Sequence, residues 1–188
     1  VTNWFAIPFE EDLKDKEKQI LYYEKAFNIS VNIPTNLQNG EGYGKLLARV
    51  ILLLTQLYTA PEQLDKKLAA LQKCVPILKT LFEPTDSNYL LFVPLLAGCL
   101  NMKGRFAEAL KYREEVHTCY IKRFGKESEE VAMALYSIGF CHRRLNNIDQ
   151  ARSCLEQSIA LFKKFVPKNK QLEPQLNKAI QELNLCKK

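Results

Sequence analysis

Glycine is scarce in this chain of 188 residues, with seven in all, and there are only two methionines, two histidines and one tryptophan. So few turn-forming glycines among many Leu, Lys, Glu and Gln argue against a β-sandwich or barrel and for an all-α protein. Long apolar runs are also missing. The run Val50–Leu54 lies inside a stretch from Leu46 to Tyr58 that Arg49, Thr55 and Gln56 interrupt. A membrane span needs about 18 to 20 such residues in succession. No CxxC pair occurs among Cys74, Cys99, Cys119, Cys141, Cys154 and Cys186. Scattered cysteines in a chain able to build a core read as small buried apolar groups, and they imply a reducing, intracellular compartment, cytoplasmic or nuclear. Neither sign of charge dominates: 27 Lys+Arg against 21 Asp+Glu leave a net charge of +6, which allows an acidic partner without requiring one. The start, Val1-Thr2-Asn3-Trp4, carries neither an initiator Met nor a basic-then-apolar leader pattern, so it reads as the trimmed beginning of a piece of a longer protein.

What the chain does have is internal repetition. At an offset of 42 residues, Leu96 falls on Ile138, Ala97 on Gly139, Cys99 on Cys141, Phe106 on Ile148, Ala109 on Ala151 and Tyr120 on Phe162. One step earlier, Leu54 falls on Leu96, Leu64 on Phe106, Leu78 on Tyr120 and Phe82 on Phe124. Three copies result, near 43–84, 85–126 and 127–168, and each reads as two helices joined by a tight turn. In the third, Val131, Leu135, Ile138 and His142 form one helical stripe, and Ile148, Ala151, Leu155, Ile159 and Phe162 form the next. Asn146-Asn147 lies between them, and Asn tolerates the left-handed backbone that a helix end needs. Small residues at matched places, Ala97/Gly139 and Ala109/Ala151, allow close helix approach. A single pair cannot cover its own apolar faces, so pairs must stack.

The pattern of a small residue, a turn Gly or Asn, an apolar residue two later and Ala three after that resembles the tetratricopeptide repeat. Leu96-Ala97, Gly104, Phe106 and Ala109 carry it in the second copy, and Ile138-Gly139, Asn146, Ile148 and Ala151 in the third. The first copy departs from it, with Lys67 where the small residue belongs. A 42-residue period is similar to the kinesin-light-chain subtype. The resemblance implies a short right-handed α-solenoid of about three helix pairs with flanking capping helices. A narrower resemblance links Phe82–Leu91, Glu108–Tyr112, Tyr120 and Val131-Ala132 to the helical C-terminal domain of SET-and-MYND lysine methyltransferases. This chain has neither a SET core nor a Cys/His zinc cluster, so no methyltransferase residue carries over from that family.

Three flanking segments frame the array. Glu10 to Phe27, with Leu13, Ile20, Leu21 and Phe27, reads as an amphipathic helix, and Asn28 to Gly44 as a loop; residues 1–42 together form an N-terminal segment. Val1 to Phe9 alternates apolar residues and reads either as an extended segment packed on the array or as the remnant of a preceding domain. Residues 169–188, with Leu172, Leu176, Ala179, Ile180 and Leu183, read as a C-terminal capping helix.

No catalytic constellation emerges, and no cofactor or metal site is expected. His117 and His142 lie in no metal-binding spacing, and neighbouring helical residues such as Cys141 and His142 point about 100° apart. The basic clusters Lys66-Lys67, Arg143-Arg144, Lys163-Lys164 and Lys168/Lys170 are interleaved with acids, which suits solvated helix faces better than a nucleic-acid stripe. Partner binding is therefore expected on a concave face lined by the first helix of each pair. The repeat pattern places Arg49, Leu52 and Gln56 there from copy one, Leu91, Pro94, Gly98 and Asn101 from copy two, and Met133, Tyr136, Phe140 and Arg143 from copy three. Chaperone-binding members of the family clamp a C-terminal carboxylate with Lys, Asn and Arg at such places. Here the lining is mostly apolar and suits a hydrophobic peptide, with or without acidic groups, or a neighbouring domain. Tyr136, Phe140 and Met133 would supply contact area, and Arg49, Asn101 and Arg143 would fix orientation. The competing expectation is that a terminal segment fills the groove. Pro94 should kink its helix unless it falls in the first turn.

Overall fold

The computed structural model describes residues 15–34 and 41–186. Every regular element among them is helical: α1 (Lys16–Val31), α2 (Glu41–Leu57), α3 (Leu64–Leu81), α4 (Ser87–Met102), α5 (Phe106–Phe124), α6 (Glu129–Arg144), α7 (Ile148–Phe165) and α8 (Glu173–Leu185). Short 3₁₀ turns lead into α3 and α8. None of these helices is long and apolar enough to cross a membrane. The chain divides into two compact units, Val1–Phe82 and Glu83–Lys188.

In the first unit α1 packs on α2 and α2 on α3, around Phe27, Leu47, Ile51, Leu54, Leu71 and Leu78. The Asp15 carboxylate caps α1 by accepting from the Glu17 and Lys18 amides. That helix runs on to Val31, four residues beyond the expected end at Phe27; residues 10–14 of the predicted helix, and the segment Val1–Phe9, lie outside the described residues. A second correction concerns Gly42 and Gly44, read above as part of a loop. Both belong to α2. A Cβ on Gly44 would lie 2.9 Å from the Phe82 ring, so this glycine gives the ring room against the helix.

The second unit is a row of antiparallel helices in which α4 packs on α5, α5 on α6, α6 on α7 and α7 on α8. Helices α4 and α6 begin 42 residues apart, as do α5 and α7. The turns inside the two pairs match bond for bond. In one, Gly104 (φ 73°) follows α4, and the Arg105 amide donates to the Leu100 carbonyl at 2.9 Å. In the other, Asn146 (φ 64°) follows α6, and the Asn147 amide donates to His142 at 2.9 Å. This is a Schellman-type ending, which requires a left-handed residue and so selects Gly or Asn. Asp86 caps α4 and Ser128 caps α6, each accepting from a first-turn amide.

Close approach is greatest between α6 and α7. A Cβ on Gly139 would fall 2.7 Å from Leu155 Cγ and 3.2 Å from the Ala151 carbonyl oxygen, so only glycine fits. The buried Ser158 hydroxyl donates to the Ala132 carbonyl at 2.7 Å and ties the same two helices together. Beyond them, Ile159 and Phe162 are covered by Leu172 and Ala179, with Leu176, Ile180 and Leu183 packed around. The apolar face of α8 thus closes the last pair. Pro94 lies in the second turn of α4, and Pro76 deep within α3, yet both helices run continuously through them. None of the six cysteines forms a disulfide and five are buried; burial alone pushes the Cys74 thiol up to about 12.

These contacts fix two expectations for urea melts of the second unit. Gly139→Ala should lose about 1–3 kcal/mol through overpacking on Leu155. Asn146→Gly, which keeps the left-handed turn, should stay within about 0.5 kcal/mol of the parent.

Candidate functional site

Among the described residues, a cleft opens on the surface of each unit. The first, of about 250 Å³, lies among α1, α2 and α3 and includes Glu24, Tyr58, Lys66 and Lys73 in its lining. The Tyr58 hydroxyl donates to Glu24 Oε1 at 2.7 Å, and Lys66 Nζ approaches the same oxygen at 3.0 Å. The Tyr58 hydrogen bond holds the Glu24 carboxyl below its ordinary value of 4.5, against partial burial and with help from Lys66. Burial and the same hydrogen bond raise the Tyr58 phenol. Glu24 already has its donors, so the cleft offers a ligand little negative charge.

The second cleft, of about 280 Å³, lies between α5, α6 and the start of α8 and is lined by Tyr120, Glu129, Glu130, Met133, Leu172 and Gln175. Glu129 accepts from the side-chain Nδ2 of Asn169 at 2.9 Å. Glu130 makes no ion pair or hydrogen bond among the described residues, and the Gln175 carbonyl oxygen is enclosed without a donor. Burial raises the Tyr120 phenol, which the Arg113 cation opposes and Glu130 reinforces. Apolar surface borders this cleft: Met133 on α6 is 36% exposed. Leu91, the residue at the same register one repeat earlier on α4, is 43% exposed.

The other residues that the repeat pattern places on a groove divide into two kinds. Arg49, Leu52 and Gln56 lie on α2 in the first unit, Arg49 and Gln56 exposed and Leu52 half-buried. In the second unit most have partners inside the fold. Asn101 accepts a hydrogen bond from the Cys141 thiol at 3.3 Å. Arg143, 42 residues on, pairs with Glu182 of α8. The same register position therefore joins each first helix to the next one in the row, and its polar group is engaged with that neighbour. Tyr136 packs into the core beneath α8, against Leu183 among others. Phe140 stands edge-on to Phe106 with ring centroids 6.1 Å apart, and the Arg143 and Arg144 guanidinium groups lie over Phe140 and Phe106. Leu91 and Met133 remain open apolar contacts, while Pro94 and Gly98 are half-buried.

Sequence reasoning counted only the first helix of each pair and so missed α5. Its residues Phe106, Arg113 and Tyr120, seven apart, run along the side that meets α4 and α6. Phe106 touches Phe140, and a Cβ on Gly98 would lie 3.7 Å from Arg113 Nη2. A cation inside an otherwise apolar stripe was the available signal. Among the described residues no three His, Cys, Asp or Glu side chains gather closely enough to hold a metal ion.

Comparison with known proteins places this geometry. Residues 89–164 match the Tetratricopeptide repeat family. No curated protein sequence is similar enough to count as a match. Among solved structures, the nearly identical TPR-like repeats of a protein from Podosopora anserina, described as a kinesin light chain, superpose with a TM-score of 0.61 at 13% identity, covering 93% of this chain and 88% of that one. A variant of the same protein gives 0.63 at 16% identity, over 93% and 86%. BtubC (BKLC) from P. vanneervenii gives 0.62 at 17% identity, over 94% of this chain and 74% of that one.

Two measurements test the pairings described here. Arg143→Met should loosen α8, with amide protection of 173–185 falling by about 1–2 kcal/mol in hydrogen exchange. The Glu24 pair should be strong above the ordinary glutamate value and be lost as pH falls through the lowered folded value. Exchange protection of Leu47 and Ile51 should therefore drop between pH 6 and pH 3 in the parent, and drop less in Glu24→Gln. Residues 89–164 match the tetratricopeptide repeat family, and the chain has the all-helical fold of the TPR-like repeats in those solved structures.

Proposed function

We propose that this chain is a non-enzymatic protein-interaction scaffold and that its second unit binds a peptide segment, or an exposed segment of a partner domain, across α4 and α6. The observation that carries this proposal is the paired exposure of Leu91 and Met133 at equivalent register positions, the latter lining an open cleft of about 280 Å³. Folding leaves large apolar groups uncovered there, and removing them from water on binding is worth about 25 cal/mol per Å² before association costs. Tetratricopeptide repeats are protein-binding scaffolds, which favours a peptide over a small metabolite. Three repeats spanning 43–84, 85–126 and 127–168, between an N-terminal segment and a C-terminal cap, are the organisation that fits this role. Six cysteines without a disulfide among them accord with a reducing, intracellular setting.

The partner segment is apolar with acidic groups, in keeping with the surplus of positive charge. The alternative, the helical part of a SET-and-MYND-type methyltransferase, rests on the resemblance around Phe82–Leu91 and is tested by whether the natural chain continues upstream into a SET domain.

A peptide-library selection tests the interaction directly. Leu91→Ser with Met133→Ser should leave the circular dichroism and melting temperature of the chain nearly unchanged, since both side chains are exposed. The same double variant should bind the selected peptides about ten-fold or more weakly. Equal binding by parent and double variant would reject this face.

A further inference from the structure

Arg113 occupies a position that the fold does not reserve for a charge. The residues one repeat before and after it, Leu71 and Leu155, are both 0% exposed, so the register calls for a buried leucine. In place of one, α5 carries a guanidinium whose Nε is enclosed and has no hydrogen-bond partner. No carboxylate of the described residues pairs with it; its electrostatic neighbours are the Cys141 thiol and the Tyr120 phenol. Desolvation lowers the Arg113 proton affinity, yet an arginine side chain stays charged inside proteins. Arg113 as a whole is half-buried, but a cation whose inner nitrogen is enclosed and which has no counter-ion is unfavourable, and one that persists is poised for an anion from outside. The access route is Gly98: its missing side chain leaves half-buried backbone next to Nη2, 3.7 Å from where a Cβ would stand. In the next repeat the position equivalent to Gly98 is Phe140, a bulky ring that stands edge-on to Phe106.

We propose that Arg113 is a receptor for a side-chain carboxylate, an Asp or Glu within a bound peptide segment that crosses α4 at Gly98. The proposal rests on the peptide-binding role of the α4–α6 face and adds to it the group that fixes the register of the peptide. Gly98 lies in the interior of α4, with exposed Leu91 seven residues before it and Asn101 after it. A segment crossing there continues in both directions, so its anion comes from a side chain and not from a chain end. Guanidinium and carboxylate can form two parallel hydrogen bonds, a geometry that lysine at this position could not reproduce.

The test is a random dodecapeptide library displayed in two formats, internal with both ends covered and with a free C-terminus, selected on the parent chain. Internal binders with one fixed Asp or Glu are expected. Replacing that acid by Asn or Gln should weaken binding to the parent about 10- to 100-fold, and should change little on Arg113→Leu, which is already weaker by the same factor. Gly98→Leu, which leaves the charge but closes the approach, should reproduce the loss. Arg113→Leu should melt at or above the parent temperature, because it restores the residue the register uses elsewhere. A clear fall in melting temperature would make Arg113 a structural strut and overturn the proposal. Internal binders indifferent to Arg113→Leu but lost on Leu91→Ser/Met133→Ser would also overturn it, while leaving the face intact as a peptide site. Arg113-dependent binders found only with a free C-terminus, or an Arg113-dependent dimer in light scattering, would replace the proposed occupant by a chain end or a second copy. A library that yields no binder would overturn both the receptor and the face.

Discussion

A helical hairpin has two apolar sides and can bury only one of them within itself, so each pair in this chain depends on its neighbour. The dependence is plainest at the end of the second unit, where α6 and α7 close on each other through Gly139 and Leu155 but leave Ile159 and Phe162 to be covered by α8. Ser158 and the Arg143–Glu182 pair belong to the same seam, one holding α7 to α6 and the other α6 to α8. Without α8 the last pair would present a broad apolar surface to water.

This constraint also decides which polar residues are free for other work. A row of first helices needs lateral ties, and Asn101 and Arg143 supply them from one register position. Side chains placed there cannot also clamp a ligand without releasing a neighbour. What is left for recognition is surface the stack does not use: the open methionine and leucine on α6 and α4, the cleft beside Tyr120, and the cation that α5 carries in a leucine position. Specificity in such a design resides in departures from the repeat, because positions that obey it are occupied with holding the array together.

Much of this was legible in the sequence. The 42-residue offset, the small residues at 97 and 139 and the turn residues Gly104 and Asn146 each correspond to a physical requirement, either close helix approach or a left-handed turn, that few residue types can meet. Helix boundaries near residue 44 were not legible, because glycine signals a flexible backbone and close packing equally; at Gly44 the ring of Phe82, 38 positions away, decides the matter. Lining residues were only partly legible. Register gives the direction of a side chain but not its partner, so Arg143 and Tyr136 read as binding groups although α8 engages both. Arg113 was not legible as a site because it lies on a second helix, at a register position that leucine fills in the neighbouring repeats.

Hydrogen exchange on a chain truncated after Val166 tests the dependence of each pair on its neighbour most directly. Amide protection of α7 should collapse first, that of α6 should fall with it, and α4 and α5 should keep most of theirs. Undiminished protection of α7 in the absence of α8 would show that the pair is stable by itself and would contradict the account.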